Sequence, residues 1–215
     1  MQTLDLTRPL RTGMPSYPGT PGPQCTPLTD LPDHGFREQS LSLTTHTGTH
    51  CDAPAHVLPT GPTLDQLPPE TWTGPGIRLD LRPLKPGQPV TPEMLRPLLP
   101  PPEVLSGAWL LLCTGWASRW GADNYFADQP EITPEAAALL GRCGLRGLGL
   151  DMASLEGPHR DGLPAHHALL ESGCVLAENL CRLEDLPAAG FTFICAPLSL
   201  LHADGAPCRA LALLP

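Results

Sequence analysis

No run of apolar residues in this 215-residue chain approaches the roughly 18 needed to span a bilayer, which predicts no membrane segment. Basic residues are scarce: 13 Lys and Arg stand against 22 Asp and Glu, a formal net charge of −9. A nucleic acid or an anionic membrane calls for a basic face, so the charge argues against both partners. The opening Met1-Gln2-Thr3-Leu4-Asp5-Leu6 lacks a basic stretch followed by an apolar one, so no secretory signal is read there. There is no C-x-x-C pair either. The eight cysteines are scattered, several inside apolar runs such as Leu110-Leu111-Leu112-Cys113. They read as small buried hydrophobes in a reducing, cytoplasmic compartment rather than as a disulfide framework. Charged residues are only 16% of the chain and hydrophobic ones 41%, a globular composition.

What the chain has in excess is proline, 29 residues, with 21 glycines dispersed among apolar sequence, which predicts many fixed-φ turns. No repeat or linker divides it, so residues 1–215 read as one domain. Residues 37–45 alternate polar and apolar, the signal of a half-buried strand. Further strands are expected at Ile77–Leu81, Trp109–Cys113, Leu145–Asp151, Phe191–Ala196 and Cys208–Leu214. Helices are expected at Thr91–Leu99 and Thr133–Cys143, each opening Thr-Pro-Glu, and one including Ala165–Glu171. Strands and helices mix without strict alternation, which indicates a mixed α/β fold.

Chemistry concentrates at His46-Thr47-Gly48-Thr49-His50-Cys51-Asp52-Ala53-Pro54-Ala55-His56. Imidazoles and a carboxylate are the ligand set of zinc, manganese or a related divalent ion. The glycine and proline argue for a loop at a strand end, in which Gly48 turns the chain and Pro54 aims His56 back at the same centre. A single histidine is more often a surface or hydrogen-bonded residue; three with an aspartate at this spacing indicate a metal or catalytic site. A second group is His166, on a short apolar helix, and Glu178, directly after the strand-like Val175-Leu176-Ala177. Burying Glu178 is costly unless it is paired or metal-bound, the alternative being a helix N-terminal carboxylate. His159 and His167 read as solvent-facing.

The segment His46-x-Gly48-Thr49-His50-x-Asp52-x-Pro54-x-His56 resembles the signature of the cyclase family of metal-dependent hydrolases, which includes bacterial kynurenine formamidases (arylformamidases) and isatin hydrolases. Weaker matches follow in order: Leu6 to Gly19, Cys113-Thr114-Gly115-Trp116, Asp151-x-x-Ser154, His166 to Glu178, and Asp204-Gly205-Ala206-Pro207-x-Arg209. The resemblance implies a single mixed α/β domain with a β-barrel-like core of the swivelling β/β/α type. It implies a homodimer whose N-terminal segment reaches across to its partner. It also implies two divalent ions per subunit, zinc or manganese. His46, His50 and Asp52 match the ligands of one ion, and Asp52 would bridge to a second held by His166 and Glu178. His56 matches the general acid/base. Cys51 occupies a variable position in the pattern and is not expected to be a nucleophile.

The expected activity is hydrolysis of a small-molecule amide, N-formylkynurenine giving kynurenine and formate. Tyr17 and Trp116 are candidate aromatic walls for an aryl substrate, with core packing as their alternative role. The competing readings are hydrolysis of another small cyclic amide, lactone or acyl compound, and a catalytically idle metal-binding protein.

Overall fold

The computed structural model describes residues 1–157 and 161–215. Its strands are β1 (Gln2–Asp5), β2 (Gln24–Thr29), β3 (Glu38–Ser42), β4 (His50–Asp52), β5 (Thr73–Asp80), β6 (Pro89–Val90), β7 (Trp109–Cys113), β8 (Glu131–Ile132), β9 (Gly147–Leu150), β10 (Val175–Glu178), β11 (Phe191–Pro197) and β12 (Gly205–Leu214). The α-helices are α1 (Leu31–His34), α2 (Pro92–Leu95), α3 (Pro102–Leu105), α4 (Pro134–Gly141) and α5 (Pro164–Leu170). No helix among the described residues is long and apolar enough to cross a membrane.

Seven strands close on themselves in the order β12-β11-β5-β7-β9-β10-β4, and β4 returns to β12. The run β5-β7-β9-β10 is parallel; β4, β12 and β11 are antiparallel to their neighbours. One edge of β12 therefore serves two partners, β4 at Gly205–Pro207 and β1 at Leu211–Leu214. The mixed α/β domain with a barrel core matches the expected fold class.

Period-2 alternation explains what fills the barrel. One face of every strand turns inward, and a seven-strand barrel has room for few large side chains. Trp109, Leu111 and Phe193 occupy the interior with Cys51, Ala177, Cys195, Ala206, Cys208, Ala210 and Ala212, all buried. The Trp109 and Phe193 rings meet at 5.0 Å. Cys51, Cys113, Cys195 and Cys208 are small buried hydrophobes of this core, Cys174 is buried in the outer one, Cys25, Cys143 and Cys181 are half-buried, and all eight are free thiols. The outward set, including Ile77, Leu110, Leu112, Leu148, Leu150 and Leu176, packs with Ala136, Leu140, Ala165 and Leu169 of α4 and α5.

Two expectations need correction. The alternation at 37–45 predicts a half-buried strand, but β3 is exposed along its whole length and, among the described residues, pairs with β2 alone, forming a hairpin outside the barrel. Alternation records an apolar face; it does not say what covers it. The helix expected to reach Leu99 ends at Leu95, because Pro97 has no N–H to continue the ladder. By contrast, Thr133 caps α4 as its Thr-Pro-Glu opening predicts, its side chain accepting from the Ala136 amide at 3.2 Å.

Candidate active site

The same alternation that sends Cys51 and Ala177 inward turns His50, Asp52 and Glu178 to the outer face of the barrel. β4 and β10 pair so that His50 stands opposite Glu178 and Asp52 opposite Leu176. The histidine segment is thus partly strand, not only loop. Gly48, with φ 64°, makes the turn into β4, and Pro54–His56 form a 3-10 turn directly after it. Helix α5 lays His166 over the group. His46, Asp52 and His56 offer ligand atoms within 4.8 Å of one another, and so do His50, Asp52 and Glu178.

Distances divide the group into a metal-like core and a flank. His50 Nε2 is 3.3 Å from Asp52 Oδ1 and 3.4 Å from Glu178 Oε2. His166 Nε2 is 3.6 Å from Asp52 Oδ2 and 3.5 Å from Glu178 Oε1. Two carboxylates therefore each face the same two imidazoles. Donors at roughly 2.0–2.2 Å from a tetrahedral ion stand about 3.4 Å apart, so the spacing fits ligands round a cation. Asp52 Oδ2 and Glu178 Oε1 are buried with no hydrogen-bond partner, which is costly in a protein interior and is relieved by a cation.

Both core imidazoles are held from behind. The His50 Nδ1–H donates to the Gly48 carbonyl at 2.9 Å. The His166 Nδ1–H donates to the Glu156 carboxylate, which also accepts from the amides of Ala165 at 2.6 Å and His166 at 2.9 Å. Each ring therefore presents Nε2 to the carboxylates, the outer-shell arrangement that fixes tautomer and aim in metal sites. Burial opposes ionisation of Glu156, but the donors from His166 and Ala165 outweigh it and hold its pKa below the ordinary value.

On the flank, His46 Nδ1 lies 2.8 Å from Asp52 Oδ1 and its Nε2 2.9 Å from Asp204 Oδ2. The same Asp204 oxygen lies 3.3 Å from His56 Nδ1, and the His46 and His56 rings are 4.1 Å apart. Gly205 makes this approach possible, since a Cβ there would stand 2.7 Å from His46 Cε1 and 2.8 Å from the Cys51 carbonyl.

The electrostatics follow the geometry. Burial disfavours charge on His50 and His166, yet Asp52 and Glu178, joined at His166 by Glu156, overcome it and raise both pKa values well above the usual imidazole range; burial opposes and Asp52 raises His46 as well. Burial likewise opposes the Asp52 charge, but His50, His166 and His46 hold its carboxyl well below the ordinary range. His56 goes the other way. Burial lowers its pKa, Asp52 opposes this, and His46 and His166 add to the lowering. Burial raises the Cys51 thiol far above its usual range inside the barrel, which removes it as a nucleophile.

The site opens into a cavity of about 280 Å³ walled by Tyr17, Trp120 and Phe126. Tyr17 meets Phe126 edge-on at 5.8 Å, and the Arg8 guanidinium sits 4.8 Å above Trp120. Trp116, a candidate wall in the sequence, is instead a core residue, 2% exposed, its indole N–H donating to the Tyr125 carbonyl at 2.9 Å. Glu178 ends a strand and begins no helix, so its alternative reading is not met. His167 is half-buried on α5, and His159 lies outside the described residues. Glu156, Asn179, Trp120 and Phe126 escaped the sequence reading, and Asp204 entered it only through a motif without a role. The Cys113–Trp116 and Asp151–Ser154 matches form one knot: Asp151 accepts from Thr114 N at 3.0 Å, Thr114 Oγ1 at 2.5 Å and Gly115 N at 2.8 Å.

Residues 4–157 match the family model described as Putative cyclase. The kynurenine formamidase of Salinibacter ruber (strain DSM 13855 / M31) is 32% identical over 213 residues, covering 98% of this chain and 96% of that protein. Isatin hydrolase A from Labrenzia aggregata, solved bound to benzyl benzoate, superposes with a TM-score of 0.85 at 28% identity, over 99% of this chain and 93% of its own. A structure described as a potential metal-dependent hydrolase with cyclase activity gives a TM-score of 0.82 at 29% identity, over 98% and 96%. With a divalent-metal constellation on the same fold along essentially its full length, the chain belongs to the cyclase family of metal-dependent hydrolases.

Proposed function

We propose that the protein hydrolyses the formyl C–N bond of N-formylkynurenine, giving kynurenine and formate. The observation that carries this reading is the juxtaposition of the two-carboxylate, multi-histidine cluster with a small aromatic-walled cavity, in a chain whose relatives include kynurenine formamidases. In this reading His46, His50 and Asp52 hold one divalent ion, and Asp52, His166 and Glu178 a second, of zinc or manganese. When bound, such ions act as Lewis acids toward the acyl oxygen and lower the pKa of water.

The chain's own residues do the rest. His56, kept neutral by burial, accepts a proton from the attacking water and delivers it to the leaving nitrogen. Water oxygen bonds to the formyl carbon, the C–N bond breaks, and the nitrogen leaves as an amine. Asp204 fixes His56 by accepting from Nδ1–H, which leaves Nε2 facing the reaction. Tyr17, Trp120 and Phe126 flank the aryl ring and exclude bulk water.

Purified protein loaded with Zn²⁺ or Mn²⁺ should release kynurenine from N-formylkynurenine, followed by the growth of kynurenine absorbance. Isatin is the second substrate tested, because isatin hydrolases share the fold. Turnover of isatin alone would replace the formamidase reading; turnover of neither would remove both.

Glu156 tests the ligand role of His166 separately from catalysis. Glu156→Gln keeps an acceptor for the Ala165 and His166 amides but loses the charge that holds the imidazole. Metal affinity should fall by about 10–100-fold in a competition titration with a chromophoric chelator. Unchanged affinity would remove His166 from the ligand set.

The β2–β3 hairpin supports a homodimer. Leu28, Phe36 and Leu41 are 55, 53 and 60% exposed on an arm whose strands, among the described residues, pair with each other alone. Leu28→Glu/Leu41→Glu should convert a particle of twice the 22.9 kDa chain mass into a monomer in light scattering. A wild-type monomer would refute the assignment. We also propose a cytoplasmic location, a reading that the eight free thiols support.

A further inference from the structure

Glu178 and Asn179 are consecutive, yet both line the cavity. In a continuing strand their side chains would point to opposite faces, and Asn179 would turn toward the barrel interior. The backbone prevents this: Asn179 takes φ 56°, the left-handed region that asparagine tolerates better than most residues. Three hydrogen bonds hold it there. Its N–H donates to the Met152 carbonyl at 2.8 Å, its carbonyl accepts from Thr49 Oγ1 at 2.8 Å, and its Oδ1 accepts from the Tyr125 hydroxyl at 2.9 Å. Tyr125 is fully buried, edge-on to Trp120 and Phe126, so this anchor cannot swing away. With Oδ1 engaged, the amide must aim Nδ2 elsewhere. Asn179 is only 5% exposed, and what surface it keeps belongs to the residues that line the cavity. A left-handed backbone and an amide oriented through its Oδ1 thus meet at the wall of the active site.

We infer that the Asn179 amide is a catalytic hydrogen-bond donor to the substrate's acyl oxygen, with Tyr125 as its positioning residue. The inference rests on the hydrolase reading above. As water oxygen adds to the acyl carbon, the carbonyl π pair moves onto oxygen, and Nδ2–H stabilises that growing negative charge. The donor needs no reorganisation because Tyr125 has already set its direction.

Asn179→Gly is the informative variant, since glycine keeps the left-handed backbone and removes only the amide. In the metal-loaded enzyme its kcat on N-formylkynurenine should fall about 100-fold, with KM within about twofold and metal content unchanged. Tyr125→Phe should lower kcat less, by about 10-fold, and should add nothing to Asn179→Gly. Binding of kynurenine, which lacks the formyl oxygen, should be the same in Asn179→Gly and wild type by equilibrium titration. Retained kcat in Asn179→Gly, multiplicative effects in the double variant, or a loss of kynurenine affinity matching the loss in kcat/KM would each overturn the donor role. If the wild type hydrolyses isatin instead, the variants are compared on isatin, whose ring carbonyl develops the same charge. The substrate assignment would then have failed while the donor role stands or falls on those values; a wild type inactive on both overturns the role.

Discussion

Asp52→Asn should reduce hydrolysis by at least about 1,000-fold and abolish the thermal stabilisation that Zn²⁺ or Mn²⁺ gives the wild type. Asp52 is the one residue common to both clusters of ligand atoms, and its two oxygens face different histidines. An asparagine has nearly the same shape but replaces one anionic oxygen with an NH₂ group that points at imidazole nitrogens and cannot ligate. Lewis-acid stabilisation is worth several kcal/mol, and about 1.4 kcal/mol is a factor of ten in rate. The stability arm is independent of substrate. A metal at 100 times its Kd stabilises by about 2.7 kcal/mol, and a chain of this size gains roughly 2–4 °C in Tm per kcal/mol. The wild type should therefore gain roughly 5–10 °C on metal addition, and Asp52→Asn almost nothing. A variant that keeps the metal-dependent shift would show that Asp52 is not a ligand. One that loses it while its metal-free Tm stays near the wild type's separates the metal site from the fold.

The parts of this site that were legible in the sequence are those carried by short spacing. His50-Cys51-Asp52 is an i, i+2 pair, and a strand presents such a pair on one face while hiding the residue between. Read as a loop, the segment still advertised its chemistry; read as β4, it also explains why Cys51 is buried and inert. His166 and Glu178 were within reach because a family pattern links them, though their spacing of twelve residues implies nothing alone. Glu156 and Asp204 come from loops, where no periodicity says which way a side chain points. Asp204 reaches His46 across 158 positions of sequence, a contact that exists only once β12 closes on β4. Trp116 and Trp120 show the same limit on a smaller scale. They lie four residues apart with no local signal to separate them, yet one donates into the core and the other forms the wall.

His56→Ala should lower kcat by about 100- to 10,000-fold while leaving metal content intact, since in the proposed role His56 carries a proton rather than an ion. Its effect on pH dependence is equally specific. The base must be neutral to accept a proton, and burial, with His46 and His166 nearby, holds its pKa below the usual 6.5. The acid limb of kcat/KM should accordingly fall off below about pH 6.5, with activity present above it and lost as pH drops through the His56 pKa. In His56→Ala that limb should vanish from the residual rate. Asp204→Asn supplies the complementary case. It removes the charge that favours the protonated imidazole, so the limb should move further toward acid, and it loosens the Nδ1–H anchor, so kcat should drop about 10-fold. Because Asp204 acts on the proton step through His56, adding Asp204→Asn to His56→Ala should cost nothing more in kcat at saturating metal. Independent, multiplicative losses would assign Asp204 instead to His46, the other imidazole its Oδ2 holds. A fall in metal affinity in the single Asp204→Asn variant would then be required.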